Sequence, residues 1–429
     1  MKNLPYFIYL LSLGALNAQS NPNSDLVNAN KNITESVLVQ KLQEYVRIKT
    51  VHPTPDYEGS TKFLVNYSKE LELPSKVIEC VKGKPFVIMT WEGKDPKLPS
   101  IFLNSHSDVV PVTLSSWKWD PFSGEINKDE EGRPIIVGRG TQDVKGVGVC
   151  YLEAIRALKK SNFVPNRTIH AVFSPEEEMG GTDGMKCFVE SQEFKNLNVG
   201  FSLDEGIVNP LDHYKVYYGE RVGWPINVTA TGNSGHGSNF IKNLAFEKFD
   251  KFYHRLEKFK KSEEKKLDEG RVDNIGEVSS INLTFLKVGE AVNTVPGTVN
   301  GYFDIRVSPK TNQNQLKSNL IKWANETNVS FFYPRGTPTH AITDYKNSIW
   351  WKAFTDSAKV QNVTLSPEIY VGGSDSKYLR EKKIPALGVN PFKNHPKFAH
   401  DNNEYIRIDT LVEGYEFYKV LIPKLANAI

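Results

Sequence analysis

The sequence predicts an α/β protein in which a mostly parallel sheet flanked by helices is interrupted by an inserted α+β domain. Two observations carry this. Over residues 86–203, short apolar runs alternate with amphipathic helical stretches, the pattern of parallel strands joined by crossover helices. Over 217–338 the strands alternate apolar and polar residues, as strands with one face in water do, and crossover patterning returns over 348–389. The expected division is a leader over 1–20, a catalytic domain over 33–217 and 338–429, and an inserted domain over 218–337.

Taken in order, Lys2, an apolar run over 4–16 and small residues at Ala18 and Ser20 describe a secretory signal peptide. The expected destination is outside the cell; a cytoplasmic protein with an uncleaved start is the alternative. The run is too short to span a bilayer, and no later stretch is long and apolar enough to do so. Residues 21–32 are polar. From Ser36, Val37, Leu38, Leu42, Tyr45, Val46 and Ile48 recur at helical spacing. Pro53 and Pro55 force an extended turn, and a second helix covers 59–71 with Phe63, Leu64 and Tyr67 on one face.

Residues 86–91, 101–103, 168–173 and 199–203 read as buried strands, 144–160 as a helix with one apolar stripe, and 184–189 as a short helix. In the insertion, strands are expected over 226–231, 278–286 and 298–307, with helices over 243–267 and 314–327. The order is strand-helix-strand-strand-helix. In the third of these strands Val299, Phe303, Ile305 and Val307 alternate with Asn300, Tyr302, Asp304 and Arg306. Segments 348–359, 368–371, 378–381 and 385–389 complete the first domain.

The 53 basic and 50 acidic residues of the 429 leave a net charge of +3, which gives no electrostatic case for nucleic acid. Cys80, Cys150 and Cys187 are too few for a disulfide framework. Cys80 and Cys187 could pair; three buried thiols are the expectation. Asn32, Asn66, Asn166, Asn227, Asn282, Asn325, Asn328 and Asn362 begin N-x-[ST] sequons and suggest a glycoprotein, although Asn227 and Asn282 fall in expected strands.

Chemistry gathers where strands end. The 101–103 run leads into His106 and Asp108, which share a side where the strand frays. Asp143 precedes the 144–160 helix, where it could equally be an N-cap. Glu176, Glu177 and Glu178 follow the 168–173 strand, where three acids in a row could equally be a solvated loop. Glu205 follows the 199–203 strand, and His400 lies near the C-terminus. Open α/β sheets bind ligands outside the carboxyl ends of their strands. Two His and three carboxylates suit zinc or another borderline divalent ion. Five donors exceed what one catalytic zinc needs, and a carboxylate shared by two ions explains the number.

The motifs NSHSDVVPV, GRGTQDVKG, SPEEEMGGTDGM, SLDEGIVNP, GHGS, FDIRVSP and FAHDNNEY, in this order from about Ser36 to the C-terminus, resemble the zinc-dependent M20 metallopeptidase family. Within it they are most similar to the N-acyl-L-amino-acid amidohydrolases. The resemblance implies two zinc ions per subunit, with His106 and Glu205 on one, Glu178 and His400 on the other, and Asp143 bridging. It implies Glu177 as general base, Asp108 as the acid behind His106, and His236, from the inserted domain, as an oxyanion donor. It also implies a homodimer in which His236 serves the partner's site. Arg306, Asn293 and Gly373 are the substrate-binding candidates, Arg306 because a guanidinium binds a carboxylate bidentately, unless Asp304 occupies it. The implied substrate is a small N-acyl amino acid. Glu205 stands where many family peptidases carry Asp, which favours the amidohydrolase over a dipeptidase or carboxypeptidase. A catalytically inactive binding protein is the third alternative, and the complete donor set argues against it. No role is assigned to His52, His170 or His395.

Overall fold

The structure, a computed structural model, describes residues 36–332 and 341–429. The expected signal peptide, the Asn32 sequon and the 337/338 domain boundary lie outside the described residues.

Helix α1 (36–47) and helix α2 (Tyr57–Glu70) behave as their periodicity predicts, burying Leu38, Leu42, Tyr45, Leu64 and Tyr67. Asp56 caps α2 by accepting from the Gly59 N–H at 2.8 Å. The central sheet has eight strands. In chain order they are β1 (Ser75–Val81), β2 (Lys84–Trp91), β3 (Ser100–His106), β4 (Ile169–Ser174), β5 (Val199–Asp204), β6 (Tyr214–Glu220), β11 (Leu365–Tyr370) and β12 (Ala386–Gly388). Their spatial order is β1-β2-β4-β3-β5-β12-β6-β11. The inner block β4-β3-β5-β12 is parallel, and β1 and β2 add an antiparallel edge.

Strands β3 and β4 are buried at every residue, because helices cover both faces of a parallel sheet. Full burial carries β3 through His106 instead of letting it fray after Leu103, and His106 pairs with Ser174 of β4. Helix α3 (Lys145–Lys160) and the C-terminal helix α7 (Ile408–Ala426), which the periodicity arguments do not reach, pack together over this sheet. Val144 is the N-cap residue of α3, so Asp143 is not a helix cap.

The inserted sheet has the order β8-β9-β7-β10 and is antiparallel: β7 (Ile226–Thr231), β8 (Ser280–Val288), β9 (Thr298–Val307) and β10 (Val329–Phe332). Helices α4 (Ala245–Asp268) and α5 (Gln313–Thr327) contribute Phe249, Phe252, Leu316 and Leu320 to a separate core with Val228, Phe303 and Ile305. The alternation in β9 thus faces Phe303 inward and leaves Asp304 and Arg306 on the other face. Strand β6 belongs to the central sheet, so the crossover into the insertion falls after Glu220, later than the expected 217/218. Helix α6 (Ile349–Gln361) returns the chain to the first domain.

Two of the three cysteines depart from expectation. Cys80 on β1 and Cys187 in the short helix Met185–Phe188 form a disulfide with Cα atoms 6.0 Å apart; Cys150 is the buried free thiol. Their separation of 107 residues hid a contact that exists only once the edge of the sheet meets this helix.

Candidate metal centre

The parallel block sends the ends of β3, β4 and β5 to one edge of the sheet, and the candidate ligands follow them. His106 closes β3, Glu205 follows β5, and the loop after β4 carries Glu177 and Glu178. Asp143 enters from the turn before α3, and His400 from the loop beyond β12. All five candidate ligands meet. His106 Nε2 lies 3.2 Å from Asp143 Oδ1 and 3.4 Å from Glu205 Oε2. His400 Nε2 lies 3.2 Å from Asp143 Oδ2 and 2.9 Å from Glu178 Oε2. The two oxygens of Asp143 therefore face the two imidazoles, one each.

The three consecutive glutamates do three different things. Glu176, at φ 67°, turns the chain and fastens the loop: its Oε2 accepts from the Asp183 and Gly184 N–H groups at 2.7 and 3.1 Å. Glu177 faces His106 and Glu205, all with ligand atoms within 4.8 Å. Glu178 faces His400. A solvated loop is thereby excluded: Glu176 and Glu177 are buried, and the Glu178 side chain is only 5% exposed.

Asp108 is fully buried behind the cluster. Its carboxylate accepts from the Glu177 and Glu178 N–H groups, each at 3.2 Å, and lies 2.8 Å from His52 Nε2. His106 Nδ1 lies 2.9 Å from the Asp108 carbonyl oxygen, a bond that leaves Nε2 to face the cluster when Nδ1 carries the proton. His52 was not legible as a partner, since nothing in its Pro-flanked turn points to Asp108.

The electrostatics are those of a cation site. Burial opposes charge on His106, yet Glu205 and Asp143 outweigh it and hold the imidazole protonated well above its usual pKa. Hydrogen bonds to Asp143 and Glu178 raise His400 to about 10. Burial, then neighbouring acids, push Glu177, Glu178 and Glu205 upward. The protons on the two imidazoles stand where divalent cations would relieve the same crowding of carboxylates. Glu178 Oε1 is buried without a hydrogen-bond partner among the described residues, as a free ligand atom would be. Two groups of donors have ligand atoms within 4.8 Å of one another, His106 with Asp143 and Glu178, and His106 with Glu177 and Glu205, so the donor set fits divalent ions.

The cluster opens into a cleft of about 640 Å³ between the two domains. Arg221, Asn282, Asp304 and Arg306 line it from the insertion side, Tyr370, Gly373 and Lys377 from the other. Arg306 Nε is held by both Asp304 oxygens, at 2.9 and 3.1 Å, so the ion pair and the cleft position hold together. His236 and Asn293 do not line this cleft. They lie side by side on the exposed edge of the insertion, where Gly235–His236 pairs with Thr294–Val295 and the Gly237 N–H donates to the Asn293 carbonyl at 2.7 Å.

A parallel sheet presenting imidazoles and carboxylates at one edge, with a second domain closing over them, defines a metal-dependent hydrolase. The family model for peptidase family M20/M25/M40 matches residues 102–424, and the chain belongs to this family. The chain is 42% identical over 402 residues to the aminoacylase-1 of Mus musculus, covering 92% of this chain and 96% of that one. Its fold is similar to that of an M20 family metallo-carboxypeptidase from Sulfolobus solfataricus, with a TM-score of 0.69 at 20% identity, covering 91% of this chain and 99% of that one. A dinuclear metal-binding M20 peptidase from Bacillus subtilis aligns with a TM-score of 0.65 at 13% identity, over 93% of this chain and all of the other.

Proposed function

We propose that this chain is a secreted, di-zinc amidohydrolase that converts N-acyl-L-amino acids to a carboxylate and a free L-amino acid. The observation that carries the reading is the convergence of His106, Asp143, Glu178, Glu205 and His400 beside Glu177, in a chain 42% identical to an aminoacylase over nearly its whole length.

His106 and Glu205 would hold one ion, Glu178 and His400 the other, and Asp143 both. Bound there, such ions would supply an acidified water and polarise the scissile carbonyl. Glu177 takes the proton of that water on its carboxylate and delivers it to the departing amide nitrogen. Asp108 fixes the His106 ring and the backbone of Glu177 and Glu178. Arg306, braced through Nε by Asp304, offers its terminal nitrogens to the α-carboxylate, and Gly373 lets the substrate approach the backbone closely.

The exposed positions of His236 and Asn293 support a homodimer in which each chain completes the cleft of the other, with His236 stabilising the oxyanion. Edge strand β8 exposes Leu283, Phe285, Leu286 and Val288, the kind of face a second copy covers. The disulfide supports the reading of the leader as a signal for an oxidising compartment. Among the described residues no helix is long and apolar enough to cross a membrane.

Purified protein assayed on N-acetyl, long-chain N-acyl and dipeptide substrates tests the proposal. Turnover of N-acyl amino acids, lost to a chelator and restored by zinc, is expected. Cleavage of dipeptides alone would make it a peptidase, and no turnover with both ions bound would make it a binding protein.

A further inference from the structure

Glu404 lies four residues past His400, and none of the roles above uses it. Its carboxylate is fully buried, and the chain leading to Asp143 folds around it. Arg139 Nη1 donates to it at 2.7 Å. The N–H groups of Gly140, Gln142 and Asp143 donate at 3.1, 2.7 and 3.3 Å. In return the Glu404 carbonyl accepts from the Gly138 N–H at 2.9 Å. Gln142 ties the same two segments from the other side. Its Nε2 donates to the Pro396 and Tyr405 carbonyls at 3.1 and 2.8 Å, and its Oε1 accepts from the Phe398 N–H at 2.8 Å.

Segments 138–143 and 396–405 are thus laced together by one acid from the second and one amide from the first. Asp143 ends the first segment and His400 sits within the second, and their side chains meet at 3.2 Å. We infer that Glu404, with Gln142, is a positioning pair that sets Asp143 against His400 and so preforms the outer half of the metal centre. This rests on the reading that the five residues hold two divalent ions.

The two halves of the centre need different support. His106 and Glu205 stand at the ends of buried strands of the central sheet, and the His106 side chain is 1% exposed. His400 is on a loop at φ 62°, and its side chain is 57% exposed. Without a clamp, nothing in regular secondary structure would hold it at its distance from Asp143. Glu404 is itself no ligand, because its oxygens are enclosed by donors and unexposed. A carboxylate with this many donors has a geometry that an amide cannot copy, since one end of Gln would turn an N–H towards other N–H groups.

The test uses metal-free full-length protein titrated with cobalt(II) alone, by calorimetry and visible absorbance. Wild type is expected to take two ions. Glu404→Gln and Gln142→Leu are expected to bind the ion shared with His400 about 10- to 100-fold more weakly and the other, which also uses Asp143, more weakly by a smaller factor, with Glu404→Asp between. Asn403→Ala, which removes a bond from the same loop to the Lys118 N–H, is expected to match wild type. Melting of the metal-free proteins separates a general loss of stability, which would leave ion number and spectrum unchanged. If Glu404→Gln does not fold, Gln142→Leu, which leaves the Arg139–Glu404 pair intact, carries the test. Two ions at wild-type affinity in both Glu404→Gln and Gln142→Leu, or in Gln142→Leu alone where the former is unfolded, overturn the inference. So does a loss shared equally by Asn403→Ala. Wild type binding fewer than two ions overturns the two-ion reading and this inference with it.

Discussion

Glu177→Gln separates two roles that the geometry allows for one carboxylate. Glu177 lies within ligand reach of the His106 and Glu205 donors, so it could hold an ion instead of a proton. The substitution preserves shape, and the Glu177 carboxylate accepts no hydrogen bond from the described residues that Gln would lose. It also removes a buried charge that desolvation and Glu205 already disfavour, so the fold should be no less stable. A general base contributes about 10²–10⁴ in rate, equivalent to about 3–5 kcal/mol of barrier. The variant is therefore expected to keep both ions and to lose kcat on N-acetyl-L-methionine by that factor, with KM little changed. The assay pairs initial rates with metal content per chain. Turnover within tenfold of wild type refutes the base assignment. Loss of an ion along with activity makes Glu177 a ligand.

Three other outcomes follow from the same geometry. Mixing inactive Glu177→Gln with inactive His236→Ala under subunit exchange should restore part of the activity, because a mixed dimer contains one intact cleft; no recovery after exchange argues for a site within one chain. His170 and His395 are buried, and burial lowers each to about 4. Below pH 6.5 the unfolded chain gains protons that the folded chain refuses, so stability is complete above 6.5 and falls towards pH 4 by up to about 3 kcal/mol per imidazole. Urea unfolding between these pH values should show the slope, and His395→Asn should flatten it. The Cys80–Cys187 bridge closes a separation of 107 residues, so Cys187→Ser should cost up to about 5 kcal/mol in urea unfolding, and equal midpoints would deny the bridge a role in stability.

His106, Glu178 and Glu205 were legible because each follows a strand whose apolar run is visible in sequence, and parallel strands end on one edge. Asp143 was legible at the start of a helix, and His400, in a loop near the C-terminus, only as a donor that the other four could use. His52 and Glu404 were not legible in this way. Each acts through a buried carboxylate contact between segments 56 and about 260 residues apart, and neither lies in a periodic element. The NNEY segment was inside a quoted motif, yet only its neighbour His400 attracted a role. The disulfide and strand β1 were missed for a related reason: β1 is an edge strand, mostly exposed or half-buried, so its hydrophobic pattern is weak. His236 and Asn293 entered by resemblance alone, and neither lines this chain's cleft.

The cleft divides the proposed reaction between the two domains. The groups that handle the bond stand on the central sheet, and Arg306, Arg221 and Asn282 present the recognition face from the insertion. Asp143, Glu177, Glu178, Glu205 and Asp304 line the cleft together with Arg221, Arg306, Lys377 and His400. On the proposed reading, divalent ions held among the acids would add positive charge beside Arg306 and favour an N-acyl amino acid through its α-carboxylate. Ion binding and substrate binding would then be coupled through charge. The acids of the cluster belong to the first domain, and the Arg306 guanidinium proposed as the anchor belongs to the second. The chain crosses between domains after Glu220 and is back in the first domain by Thr343, whose N–H donates to the Tyr218 carbonyl at 2.7 Å. The chain therefore leaves the central sheet at the end of β6, and Thr343 bonds back to that same strand.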